Sequence, residues 1–189
     1  MEYITSSDFH FKDTAVALGK FEGIHRGHQL LMDEVKKQEL HGLRSVVFTF
    51  DRPTRLTLTG DTEYKQIYTK KERREILEKR GIDILIEHPF TKEFAALTPD
   101  RFIREVLVEK VGAKVIVVGT DFHFGKNRSG SITDLEKLEE ECGYHLIVVE
   151  KLQLNGKDIS STRIRASLEK GAMEEAKALL GRNYSVSGD

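Results

Sequence analysis

The chain has 189 residues, 39% hydrophobic and 32% charged, with a formal net charge of −1. That balance gives no global attraction to nucleic acid or to an anionic membrane, and the length suits a single domain with a substantial core. Cys142 is the lone cysteine, no apolar run approaches a membrane span, and the opening MEYITSSDFHFKD lacks the basic and apolar regions of a signal peptide, so a cytoplasmic protein is expected.

Residues 1–13 are mixed and polar and suit a short extended segment or edge strand. Ala15–Leu18 is a first strand, broken by Gly19, Gly23 and Gly27 before a helical pattern that runs to about His41 and stops at Gly42. Arg44–Phe50 (RSVVFTF) is a second strand. Residues 51–66 are irregular, a long connection of the kind that forms a binding loop or flap. Thr69–Arg80 reads as a charged helix with a Thr69/Glu72 capping box, ended by Gly81.

Ile82–Ile86 is a third strand, and His88-Pro89 breaks it. Thr98-Pro99 opens a helix whose Phe102, Ile103, Val106, Leu107 and Val111 recur at helical spacing. Lys114–Val118 is a fourth strand, apolar enough for burial on both faces, and it runs into Gly119. Helices follow over Thr133–Cys142, from Ser160 to Leu168, and from about Met173 to Leu180, with a fifth strand at Leu146–Val149. This alternation predicts an α/β fold: a Rossmann-like parallel sheet with helices on both faces. The chain has neither a GxGxxG turn nor a P-loop.

Three segments that each follow a strand carry the chemistry. Gly19–His28 places His25 and His28 at a helix start, where unpaired N–H groups and the helix dipole suit a phosphate. GTDFHFGKNRSG spans residues 119–130. ISSTRIR spans 159–165, where Ser160, Ser161 and Thr162 suit capping and hydroxyl donation. Arg163 and Arg165 oppose the dipole of their own helix and so invite an anion. Strand ends of a parallel sheet share one edge, so the three segments can meet. Blander readings stand beside these: a structural or zinc-binding histidine pair, a solvated Arg163, and Phe48 and Phe50 as core.

GKFEGIHRGH resembles the HxGH turn of the nucleotidyltransferase superfamily, and ISSTRIR its second signature. Together with VVGTDFHFGKNRSG and the closing LLGRNYSVSG, they are similar to the FMN adenylyltransferase (FAD synthetase) module of bacterial bifunctional riboflavin kinase/FAD synthetases. The resemblance implies transfer of AMP from ATP to FMN, with magnesium carried on the ATP phosphates. It implies catalytic roles for His25, His28 and Arg165. ATP would be held at Gly19, Lys20, Phe21, Gly23, Gly119, Ser160, Ser161, Thr162 and Arg163, and the flavin at Phe50, Pro53, Asp121, Phe122 and Phe124. Residues 1–189 would form one nucleotidyltransferase domain, with any riboflavin kinase domain in a longer chain; partners would be small molecules, without nucleic acid or membrane. The sequence departs from the family at Lys20 and Glu22, where Asn and Asp are usual, and at Asp51-Arg52-Pro53-Thr54, where Pro-His-Pro is common. The second departure leaves open another phosphorylated acceptor or a non-catalytic nucleotide or flavin binder.

Overall fold

The computed structural model describes residues 1–52 and 65–185. Pro53 and Thr54, on the expected flap, lie outside the described residues. Among those described, the strands β1 (Glu2–Ile4), β2 (Thr14–Leu18), β3 (Arg44–Phe50), β4 (Ile84–His88), β5 (Ala113–Gly119) and β6 (His145–Val149) form one parallel sheet. Their order is β1-β4-β3-β2-β5-β6. The polar N-terminal segment thus supplies an edge strand, paired to β4 through Tyr3 and Leu85.

The helices are α1 (Arg26–Lys37), α2 (Lys70–Lys79), α3 (Lys92–Ala95), α4 (Pro99–Arg101), α5 (Ile132–Cys142), α6 (Ser161–Glu169) and α7 (Met173–Leu180). Alternation along each strand splits the core in two. Val16, Leu18, Phe48, Ile86 and Val118 face Ile103 and Leu107, which follow α4, and Leu135 of α5. Ala15, Ala17, Val47, Leu85 and Val117 face Leu31, Met32 and Val35 of α1 and Leu77 of α2. A third cluster, Ile67, Tyr68, Ile159, Ile164, Leu179 and Leu180, holds α6 and α7 beside the segment that leads into α2.

The structure shifts some expected boundaries. The third strand runs from Ile84 through His88 rather than from Ile82 to Ile86, because two polar residues continue it into the interior. Glu87 is fully buried and His88 nearly so. The Glu87 carboxylate pairs with Arg73 and accepts a 2.5 Å hydrogen bond from the Tyr3 hydroxyl, which is what permits a charge at that depth. Burial and the Glu87 carboxylate push the Tyr3 phenol up to about 12.

Thr98 caps α4 as its sequence suggests, accepting from Arg101 N–H. The helix then widens into a π-helical segment over Phe102–Lys110, whose last amide bond spans five residues, from Val111 N–H to Val106 O. The apolar residues that marked a helix are still the buried ones. Asn155 and Gly156, both at positive φ, turn the short antiparallel hairpin of β7 (Gln153–Leu154) and β8 (Lys157–Asp158).

Gly112 follows the π-helical segment at φ +67, and a Cβ there would lie 2.2 Å from the Phe11 carbonyl oxygen. Gly42 has φ +79 but nothing within 4 Å. Gly112→Ala should therefore lower unfolding free energy by more than about 2 kcal/mol, and Gly42→Ala by about 1 kcal/mol. Denaturant titration of both variants measures the difference; equal losses would contradict the close approach at Gly112.

Candidate active site

The chain leaves β2 toward β3 and β4 on one side and returns to β5 and β6 on the other. Such a reversal opens a crevice at the carboxyl ends of the two central strands. Gly19 and Gly119 stand at those ends, since Ala17 of β2 is paired with Val117 of β5. The turn after β2 is docked on β3: Gly19 N–H donates to Phe48 O at 3.3 Å, and the Thr49 hydroxyl donates to Lys20 O at 2.9 Å. A Cβ at Gly19 would lie 3.0 Å from the Phe21 ring. Phe21 and Ile24 are both fully buried and both left-handed, with φ of +46° and +42°. Bulky residues in that region cost on the order of 1–3 kcal/mol each, so strain is concentrated directly ahead of His25.

His25 caps α1, its Nδ1 accepting from His28 N–H at 3.2 Å. With Nδ1 an acceptor, the neutral ring carries its proton on Nε2 and presents a donor. The two imidazoles stack with centroids 3.6 Å apart and 17° between planes, and Phe21 meets His28 edge-on at 5.1 Å. His28 Nδ1 is buried without a hydrogen-bond partner. Burial, then the Arg182 charge, pushes the His25 pKa down to about 4. Burial, His25 and Arg182 hold His28 well below its ordinary value. Both rings are thus neutral donors at neutral pH. No acidic residue occupies the first turn of α1, so its N-terminal dipole stays available to an anion.

The start of α6 faces this turn. Ser160 caps α6 by accepting from Arg163 N–H at 3.3 Å. A Cβ at Gly23 would lie 3.7 Å from Ser161 Oγ and 3.1 Å from Ile67. Arg165 Nη1 is 2.8 Å from Glu22 Oε2, and Thr162 is exposed on the first turn. The segment Lys20–Gly23 and the ISSTRIR segment are therefore brought together, as their positions after strands suggested.

Arg163 is held differently from the expected phosphate contact. Its guanidinium pairs with Glu175 of α7 at 2.8 Å and donates to Leu154 O and Lys157 O of the hairpin. Side-chain charge and two carbonyls engage it on the framework.

The expected flavin residues separate into three settings. Phe124 is core: it is buried, bridges its backbone to Gly130, and packs 5.4 Å from Phe102. Phe122 is half-buried and stacks on Phe124, while exposed Asp121 pairs with Lys151 at 3.2 Å. Phe50 lies beyond the turn, packed on Phe90 at 4.8 Å, and lines a cleft with Lys20, Arg52, Tyr68 and Arg73. Pro53 lies outside the described residues.

Arg182 was legible only as part of the closing LLGRNY resemblance, with no role attached. It sits beneath the histidine turn, donating to Gly23 O and Ile24 O, both at 2.8 Å. A local signal does exist: Gly181 is the left-handed residue that ends α7 and turns the chain back to place Arg182.

A parallel sheet that reverses at its centre, with a histidine-capped helix start and a hydroxyl-capped one facing the reversal, defines a nucleotidyltransferase-like Rossmann-type protein. Pantoate-β-alanine ligase from Francisella tularensis shares this fold, with a TM-score of 0.53 and 14% identity over 93% of this chain and 85% of that one. A structure described as a macrolide-efflux protein from Streptococcus pneumoniae aligns with a TM-score of 0.84 and 29% identity, covering 96% of this chain and 72% of that one. No described helix here is long and apolar enough to cross a membrane.

The chain belongs to the FAD synthetase family, whose model matches residues 8–163. Among curated relatives, the bifunctional riboflavin kinase/FMN adenylyltransferase of Listeria monocytogenes is 32% identical over 187 residues, 98% of this chain and 59% of its own length. The Escherichia coli K12 protein of the same name is 31% identical over 175 residues, 92% of this chain and 56% of its own. The chain thus spans less than three fifths of these relatives.

His25, with its folded pKa near 4 against an ordinary 6.5, takes up a proton more readily when unfolded. Stability linked to it is therefore lost as pH falls from about 6.5 toward 4, by on the order of 2–3 kcal/mol. Denaturation of the wild type and His25→Asn at pH 7 and pH 4.5 should show a shallower acid loss in the variant. Identical losses would mean that His25 is not held neutral.

Proposed function

We propose that this chain transfers AMP from ATP to the phosphate of FMN, giving FAD and pyrophosphate. The observation that carries this reading is the stacked, neutral histidine pair at the start of α1, with one buried ring nitrogen unpartnered, facing the start of α6. Family membership supplies the acceptor.

An oxygen of the FMN phosphate attacks the α-phosphorus, and the bond to the pyrophosphate oxygen breaks. No covalent enzyme intermediate is required; catalysis needs alignment and stabilisation of charge on the five-coordinate centre. His25 Nε2–H and His28 donate to the non-bridging oxygens of that centre. Arg165, Ser161 and Thr162 hold the β- and γ-phosphates from α6, with Arg165 exchanging Glu22 for phosphate. Gly19, Gly23 and Gly119 let the nucleotide approach the backbone, Lys20 adds charge at the turn, and Phe21 supports His28. Ser160 and Arg163 serve the frame of α6. Phe122, Asp121 and Phe50 lie on the acceptor side, where the resemblance also puts Pro53, while Phe124 supports Phe122 from the core.

Magnesium would neutralise charge on the phosphates when bound. Such an ion would be held chiefly by the phosphate oxygens. Asp121, whose charge reaches His25, is the carboxylate placed to take part. In this reading residues 1–189 are one nucleotidyltransferase domain. The relatives' names also carry a riboflavin kinase activity, and this reading assigns it to the two fifths of their length not shared with this chain. Asp51 and Arg52 at the cleft, where the family commonly has Pro-His, favour one second reading: adenylyl transfer to a different phosphorylated acceptor.

Purified protein with ATP and magnesium should release pyrophosphate only when FMN is added, with FAD as the product. ATP binding without FMN-dependent release would overturn the acceptor assignment. His28→Ala should lower kcat by about 10²–10³ with little change in KM for ATP, since its bond tightens in the transition state. A rise in KM alone would remove His28 from that role.

A further inference from the structure

The half-buried guanidinium of Arg182 has no part in the roles proposed above. Its Nη1 donates to Ile24 O at 2.8 Å and to Leu180 O at 3.3 Å, and its Nη2 donates to Gly23 O at 2.8 Å. The Tyr68 ring lies 5.1 Å from its centre. Burial lowers its pKa. Gln29 of α1 donates to the same Ile24 O and to Leu180 O, at 2.9 and 2.8 Å. Two consecutive carbonyls, Gly23 and Ile24, thus converge on one planar fork. The fork grips the turn where Ile24 stands left-handed, one residue before the histidine that caps α1. A planar, permanently charged group with fixed N–H directions can hold two such carbonyls; an ammonium cannot reproduce both directions at once.

We propose that Arg182 is a positioning residue for adenylyl transfer: its fork holds the left-handed turn at Ile24 that sets the His25–His28 pair in register with the start of α6. Its charge has a second effect on the same pair. Around His25 stand Arg182, which disfavours protonation, and Asp121, which favours it; around His28 stand His25 and Arg182, both disfavouring it. Arg80 and Tyr68 are the titratable groups that act on Arg182 itself. The guanidinium therefore holds the place of the imidazoles and adds to the burial that keeps them neutral.

This inference rests on the adenylyltransferase reading for its kinetic readout, so its test includes one that does not. Arg182→Lys keeps the charge and loses the fork; Arg182→Met loses both. Arg182→Lys should lower kcat at least 10-fold with KM for ATP within about twofold. Arg182→Met should lower kcat further and move the acid limb of kcat/KM to higher pH, because removing the cation makes the histidines easier to protonate. Independently of any acceptor, NMR titration of the imidazole carbons should show both histidine pKa values raised in Arg182→Met and near wild type in Arg182→Lys. Unmoved histidine pKa values together with wild-type kcat in the folded variants would overturn the proposal. If Arg182→Met does not fold, Arg182→Lys decides the matter: a wild-type kcat there overturns the fork. An inactive wild type with histidine pKa values that still shift would instead refute only the adenylyltransferase reading.

Discussion

Everything functional in this molecule hangs on the parallel pairing of β2 with β3 on one side and β5 on the other. β2 is almost wholly buried, and its neighbours leave in opposite directions along the sheet. The connections diverge above its carboxyl end, so no side chain is required to fill the space between them. The glycine-rich turn, the residues after β5 and the start of α6 all converge on that opening. Strand composition secures it: Val16, Val46, Ile116 and their neighbours are dry on both faces, which a parallel sheet between helix layers demands.

Within the opening, the proposed chemistry depends on keeping two imidazoles uncharged beside a helix N-terminus. Burial does most of that, and the nearby guanidinium adds to it. A neutral ring directs one donor without adding a fixed cation that would bind substrate and transition state alike. Arg165, held on Glu22 in the structure described here, brings a full positive charge from the opposite helix. In the proposed reaction this division of labour puts neutral donors at the reacting phosphorus and a cation at the leaving group.

Sequence reading recovered what periodicity and strong local signals encode. Val115–Val118, Ile84–Ile86 and the Thr69/Glu72 box have one plausible structural use each, and the structure gives them that use. His25 and His28 were readable because glycine spacing put them at a strand-to-helix turn. What stayed hidden depended on partners far away in the chain. Glu87 looks like a strand terminator until Arg73 and Tyr3 are seen around it. The sequence separates Arg163 from Arg165 only by expected role; that Glu175 holds the first and Glu22 meets the second is visible only in the fold. The π-helical widening after Phe102 leaves no trace in apolar spacing, since the same residues point inward in either register. Phe122 and Phe124 alternate as one strand would, and only the Phe124–Gly130 bridge separates lining from core.

The Tyr3–Glu87–Arg73 chain of contacts carries a consequence for how the protein comes into being. Arg73 lines the cleft, and its carboxylate partner is shared with the third residue of the polypeptide. The strand that Tyr3 joins follows it by some eighty residues in the chain. The Glu2–Ile4 strand can therefore pair only after β4 is in place, and it closes the sheet edge late. Anything that disturbs that late docking step would reach the cleft through Glu87 without altering a single residue there.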